Sequence, residues 1–153
     1  GTLIHLPIDY DQLLAEFAAI TGTSNLHPLK QKISSLNRET RRKVFKIWDE
    51  TELSALKRVT AKEAGLTLYK KYSSKPKALV TMQGKALTET VMKELSLSFD
   101  FAVTREESLD RVFQLKIASD RLGTSFKNIL FIGNTNDDSS AAEEVRCRFL
   151  RVN

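Results

Sequence analysis

Asn134, Asp137 and Asp138 follow directly on an apolar run and its closing glycine in "ILFIGNTNDDSSAAEEV", Ile129 to Val145. Side-chain oxygens at that spacing suit a hard cation. Mg²⁺ takes one or two carboxylates and keeps several waters, so Asp138 with Asn134 and Asp137 forms a candidate metal site. Helix capping is the competing use. A carboxylate in the first turn of the segment that follows would satisfy free N–H groups and complement the helix dipole. A second candidate is Thr81, which closes the run "KALV" and precedes "MQGKALT", a glycine-containing turn opening into a helical pattern. A hydroxyl beside the N–H groups of such a turn makes an anion site. Arg111 and Lys116 stand on or just before a later helix. Either could complete a phosphate clamp, Arg as a two-donor fork or Lys as a point charge.

The elements that must position these residues are legible from periodicity. "KALVTM", "FDFAVT", "NILFIGN" and "CRFLRV" are short apolar runs, and "KALTETVMKEL" and "LDRVFQLKIASDRLG" between them repeat at helical spacing. Strands alternating with helices predict an α/β fold, a parallel sheet with right-handed crossovers and helices on both faces. Ligands of such folds sit beyond the carboxyl ends of the strands. Those ends carry Thr81 to Gln83, Thr104 to Glu106 and Gly133 to Asp138. The first half, to about Ser74, reads helical. "DYDQLLAEFAAITG" shows one stripe, Leu13, Leu14, Phe17, Ala18 and Ile20, closed by Gly22. "NRETRRKVFKIWDETELSALKRVTAKEAG" starts with Asn37 as a cap and ends at Gly65, as one helix or as two broken near Asp49 to Glu52. "LTLYKKYS" is expected as a short helix, and Trp48 as a core residue.

Composition narrows the function classes. The 153 residues, 41% apolar, suffice for one domain with a real core. No run is long enough to span a bilayer, and no leader of charged, apolar and small residues opens the chain. Membrane partners are therefore not expected. Cys147 is the one cysteine. It suits a cytoplasmic protein and reads as a small buried residue at a strand edge. The net charge of +5 raises nucleic acid as a partner. The basic residues are spread along the chain, however. The one dense cluster, Arg38, Arg41, Arg42, Lys43 and Lys46, is interspersed with Glu39, Asp49 and Glu50, as on a solvated helix face. No zinc spacing or aromatic ribonucleoprotein motif is present, so nucleic acid is not expected either. His5 and His27 have no metal-ligand spacing.

Threonine at one strand end, a cation after a later strand and carboxylates at the end of the next resemble, in that order, the haloacid dehalogenase (HAD) superfamily of hydrolases, mostly phosphatases. "KALVTMQGKALTETVMKELSL", "FDFAVTREESLDRVFQLKIASDRLG" and "ILFIGNTNDDSSAAEEVRCRFLRV" are similar to its second, third and fourth motif regions. Gly1, Thr2 and Leu3 resemble the tail of its first motif, Asp-x-Asp-Gly-Thr-Leu. The resemblance implies a Rossmann-like core from residues 1–8 and 75–153, with a helical cap from 9–74. It implies a Mg²⁺-dependent phosphatase acting through an aspartyl-phosphate on a small phosphorylated metabolite. The nucleophile and acid/base aspartates would stand immediately before Gly1. Thr81 and Arg111 would hold phosphate, and Asp138 the metal, with Asn134 or Asp137 assisting. The first strand of the resembled fold runs between the strands at residues 77–81 and 128–132. Two departures stand out. Asn134 takes the place of an aspartate, and the Lys-Pro of the third region is absent. Arg111 is the nearer substitute and Lys116 the farther. Two readings follow: an enzyme whose nucleophile lies outside these residues, or a catalytically inert binding or regulatory protein on the same fold.

Overall fold

The computed structural model describes Gly1 to Asn153. Its helical half is organised by the caps and apolar stripes of the sequence. Helix α1 (Tyr10–Thr21) begins where Asp9 accepts the Gln12 N–H and ends at Gly22. A short α2 (Leu29–Ser35) follows, then α3 (Arg38–Ala55), whose Asn37 cap accepts the Thr40 N–H. Helix α3 runs unbroken through Asp49 to Glu52. It does not extend to Gly65, as the sequence suggested. It tightens into a 3-10 turn at Leu56–Arg58, and the chain then becomes extended. Strand β1 (Ile4–His5) pairs antiparallel there with β2 (Thr60–Ala61). Gly65 lies inside the next helix, α4 (Glu63–Lys71), where the Thr2 carbonyl passes through the space a Cβ would need.

The stripes of α1, α2 and α3 meet in one tight core. Phe17 and Val44 are 0% exposed and Ile33 1%. Trp48 is tilted against Phe17 with ring centroids 5.6 Å apart. Leu109 joins this cluster from the second half of the chain, and Met82 packs against it. Each such side chain contributes about 1.5–3 kcal/mol by leaving water. A second cluster, Ile4, Leu6, Ala55, Leu87 and Val91, fastens the amino terminus and the end of α3 to the second half.

In that second half the elements alternate as periodicity predicts: β3 (Ala78–Val80), α5 (Lys85–Glu94), β4 (Phe101–Val103), α6 (Arg111–Leu122), β5 (Leu130–Gly133), α7 (Asn136–Glu144) and β6 (Arg148–Arg151). Strand β3 pairs in parallel with β4, Ala78 opposite Phe101, and β5 with β6, Leu130 opposite Arg148. These parallel pairs are separate sheets. A cavity of about 1020 Å³ has both β3 and β5 among its walls. Lys77 O and Thr81 N bond toward β4, so the alternate residues Ala78 and Val80 turn their backbone groups to the cavity side. Gly133 O bonds to Val152 N beside β6, which turns Leu130 and Ile132 the same way on the other wall. The side chains of β3, and those of β5 before Gly133, are accordingly only half-buried, unlike the strands of a closed parallel sheet.

Candidate functional site

One end of the cavity is built where the carboxyl ends of β3 and β5 meet the start of α6. Asp110 caps α6 by accepting the Val112 and Phe113 N–H groups, which sets Arg111 as its first residue. The Arg111 side chain is 14% exposed, with Nε 3.0 Å from Asp138 Oδ1. That is ion-pair distance, but the buried Nε makes no hydrogen bond. Arg111 Nη1 donates to Gln114 Oε1 at 2.7 Å. Gln114, 0% exposed, in turn donates to the Thr81 carbonyl at 2.9 Å and the Ser108 carbonyl at 2.8 Å. A single buried amide thus ties Arg111 to the strand end that carries Thr81. Burial pushes the Arg111 guanidinium below its ordinary pKa, while the carboxylates of Asp138 and then Asp137 pull it back up. Lys116 is exposed on α6 and does not line the cavity.

Asp138 serves the helix as well as the site. Thr135 caps α7 and accepts the Asp138 N–H at 3.1 Å. Asp138 Oδ2 accepts from the backbone N–H of Thr135 at 3.1 Å and of Asn134 at 3.2 Å. This reciprocal box satisfies donors that any helix start leaves free. The two uses read from sequence, capping and site carboxylate, therefore fall on the same residue, which is 5% exposed. Asp137 points outward and pairs with Lys30 of α2. The Asn134 amide lies against the amino terminus, where the Thr2 hydroxyl donates to its Oδ1 at 3.5 Å.

Thr81 continues the β3 ladder through its N–H to Val103 O at 2.9 Å, and its Oγ1 accepts the Gln83 N–H at 3.1 Å. The N–H groups that open α5 do not face the cavity. Gly84 N donates to Glu52 Oε2 at 3.0 Å and Lys85 N to Glu106 Oε1 at 3.1 Å. Carboxylates of the chain itself hold the places that the turn seemed to offer an anion. Gln114 was not legible beforehand, because one amide in a helical pattern carries no signal. Asp49 and Glu52 do show one in retrospect. They are acids three residues apart, hence on one face of α3, beside the buried Trp48.

Thr81, Arg111, Asn134, Asp137 and Asp138 all line the same cavity, together with Tyr10 and Lys30 from the helical half. This arrangement does not make an Mg²⁺ site by itself. No group of three or more His, Cys, Asp or Glu side chains is placed to hold a metal. Asp138 already accepts two N–H groups and faces Arg111, and Asp137 is turned to Lys30. The donors of this chain alone do not fit the ion. What they form is a cavity end where Arg111 and Lys30 are each paired with a carboxylate, beside the Thr81 hydroxyl.

No protein-family model and no curated protein matches the sequence. Solved structures do match the fold. A haloacid dehalogenase-like family hydrolase of Streptococcus pneumoniae superposes with a TM-score of 0.70 at 16% identity, over 100% of this chain and 80% of its own. A candidate phosphoglycolate phosphatase of Lactobacillus plantarum gives 0.69 at 16% identity, over 97% of this chain and 80% of its own. The L-2-haloacid dehalogenase of Xanthobacter autotrophicus gives 0.57 at 12% identity, over 94% and 62%. With helices on a Rossmann-like parallel core and a helical segment ahead of it, this chain carries the fold of the haloacid dehalogenase-like hydrolases.

Proposed function

We propose that the chain is the phosphate-binding part of a HAD-like phosphatase whose nucleophilic aspartate is carried by a strand seated in the cavity between β3 and β5. The observation that carries this reading is Arg111. Its guanidinium is largely buried, faces Asp138 with Nε at 3.0 Å, and lines the same cavity as Thr81 and Asn134. A buried arginine fork lining a cavity suits the oxygens of a phosphoryl group. Arg111 would hold a phosphoryl oxygen with its fork, and the Thr81 hydroxyl would donate to a second. Gln114 would keep both in register. An aspartate at the carboxyl end of an inserted strand would face that phosphorus and attack it in line, with water then hydrolysing the acyl phosphate. The resemblance to HAD-like phosphatases implies a small phosphorylated metabolite as substrate. Tyr10 and Lys30 of the helical half line the same cavity and would be the cap's contribution to it.

Calorimetric titration with inorganic phosphate tests the site. Arg111→Met should weaken binding at least about tenfold, the loss of one charge-assisted pair, while Lys116→Ala should leave it unchanged. Equal binding by wild type and Arg111→Met would remove Arg111 from the site. The inert-binder reading shares this geometry and differs only in turnover.

A further inference from the structure

Away from the cavity end, one cluster of buried charges has no part in the chemistry above. Arg105, just after β4, is 1% exposed although it is a full-length arginine. Its Nη1 donates to Glu52 Oε1 at 2.7 Å and to the Met82 carbonyl at 3.3 Å. Its Nη2 pairs with Asp49. Its guanidinium lies over the Trp48 ring, 4.5 Å from the centroid. The other oxygen of Glu52 takes the Gly84 N–H at the start of α5. At Gly84 a Cβ would overlap Asp49 Oδ1 and Arg105 Nη2, so only glycine lets the groups close.

The charges do not balance by pairs. One guanidinium faces two carboxylates, and the partial positive charge at the α5 amino terminus supplies part of the difference. Core residues donate every contact to the two carboxylates: Arg105 from the end of β4 and the Gly84 N–H at the start of α5, while the Met82 carbonyl, from the turn after β3, accepts from Arg105. Glu52 and Asp49 come from α3, in the helical half. Helix start plus buried arginine is the donor set of an anion site, and here a side chain from another layer fills it.

We infer that Arg105 and the α5 amino terminus form an anion cradle whose ligand is Glu52, so that the helical cap is latched to the core by its own carboxylate. The latch lies one turn of chain from Thr81. Met82 and Gly84, which it grips, are the residues that shape the turn behind the Thr81 hydroxyl. Cap position and the placement of Thr81 are thereby coupled through one ion cluster. The inference does not depend on phosphate binding or on catalysis.

Trp48 is the only tryptophan and sits under Arg105, so its fluorescence reads the latch directly. Acrylamide quenching and thermal melts of the 153-residue chain would be recorded for wild type, Glu52→Ala, Glu52→Gln and the double variant Glu52→Ala/Arg105→Met. Glu52→Ala should raise the quenching constant at least about twofold and lower Tm by on the order of 10 °C, because it strips a partner from a buried guanidinium. Added acetate should enter the emptied cradle and restore both readouts in Glu52→Ala. It should not do so in the double variant, which has no arginine to bind it. Glu52→Gln keeps one oxygen acceptor in the cradle and should be quenched less and melt higher than Glu52→Ala. If Glu52→Ala does not fold without acetate, folding on its addition supports the cradle, and failure to fold counts against it. Unchanged quenching in both Glu52 variants, or equal acetate response with and without Arg105, overturns the inference.

Discussion

The two halves of the molecule bury similar apolar side chains to very different depths. In the helical half, Phe17, Ile33 and Val44 are sealed from water where α1, α2 and α3 meet, with Leu26, Leu109 and Met82 closing the cluster. In the sheet half, Leu79, Phe131 and Ile132 are as apolar, and sit in strands, yet remain half-buried. Phe131 has Phe149 at 5.8 Å for company on the β6 side, while β5's other edge borders the cavity. A helix closes its own hydrogen bonds and needs only side-chain contacts to finish its burial. A strand leaves backbone groups open along any edge without a partner, and β3 and β5 turn such edges to the cavity.

The largest test of that contrast is to fill the cavity. Joining an apolar strand of about five residues ahead of Gly1 should add backbone hydrogen bonds of roughly 0.5–1.5 kcal/mol each and bury its side chains. A net gain of about 5 kcal/mol would raise Tm by roughly 10–20 °C for a domain of this size. A sequence-scrambled polar extension of equal length should leave Tm unchanged. If both extensions behave alike, the open edges of β3 and β5 are not a strand site.

Next come paired truncations. Phe17→Ala removes a fully enclosed ring and should cost about 3–5 kcal/mol by denaturant unfolding. Phe131→Ala removes a half-exposed ring and should cost roughly half as much. Adding the strand should raise the second cost toward the first and leave the first unchanged. Equal costs in the chain without the strand would contradict the asymmetry.

The depth of the contrast was not all in the sequence. Local signals carried far. Asn37 as a cap, Gly22 as a stop, and the four apolar runs as strands all describe contacts within a few residues, and the elements stand there. Signals set by distant partners were silent. Gly65 reads as a helix stop, yet it is a helix interior residue, because the Thr2 carbonyl approaches it from more than sixty positions away. Helix α2 and the β1–β2 ladder are too short for periodicity to register. Asp137 and Asp138 were equivalent by composition. The turn geometry of Thr135 separated them, placing one in a capping box and the other against Lys30. Arg105 stood at a polar strand end like any other cation, and only the fold shows that its partners are Asp49 and Glu52.

The smallest expected effect is in pH. Burial pushes the Glu52 carboxyl above its ordinary pKa, against the hydrogen bond and charge of Arg105 and the Gly84 N–H. Burial does the same to Asp49, again opposed by Arg105, with Glu106 and Glu50 adding to the rise. For an acid whose pKa is higher folded than unfolded, the folded state holds more protons. Stability then rises as pH falls through the raised folded pKa toward the ordinary carboxylate range. Melts from neutrality down to about pH 5 should show this slope in wild type and a shallower one in Glu52→Gln. An equal or steeper slope in Glu52→Gln would show that other carboxyls set the response.

Hydrolysis of p-nitrophenyl phosphate decides whether Thr81 and Arg111, beside Asn134, form a phosphate site completed by a strand that brings the nucleophile. It would be measured with Mg²⁺ for the chain from Gly1 to Asn153 and for the same chain extended by an apolar strand ending in Asp-x-Asp. No turnover is expected from the first and turnover from the second, lost again in Arg111→Met. Turnover by the unextended chain, or a stabilised extended chain that binds phosphate without hydrolysing the ester, would overturn this reading.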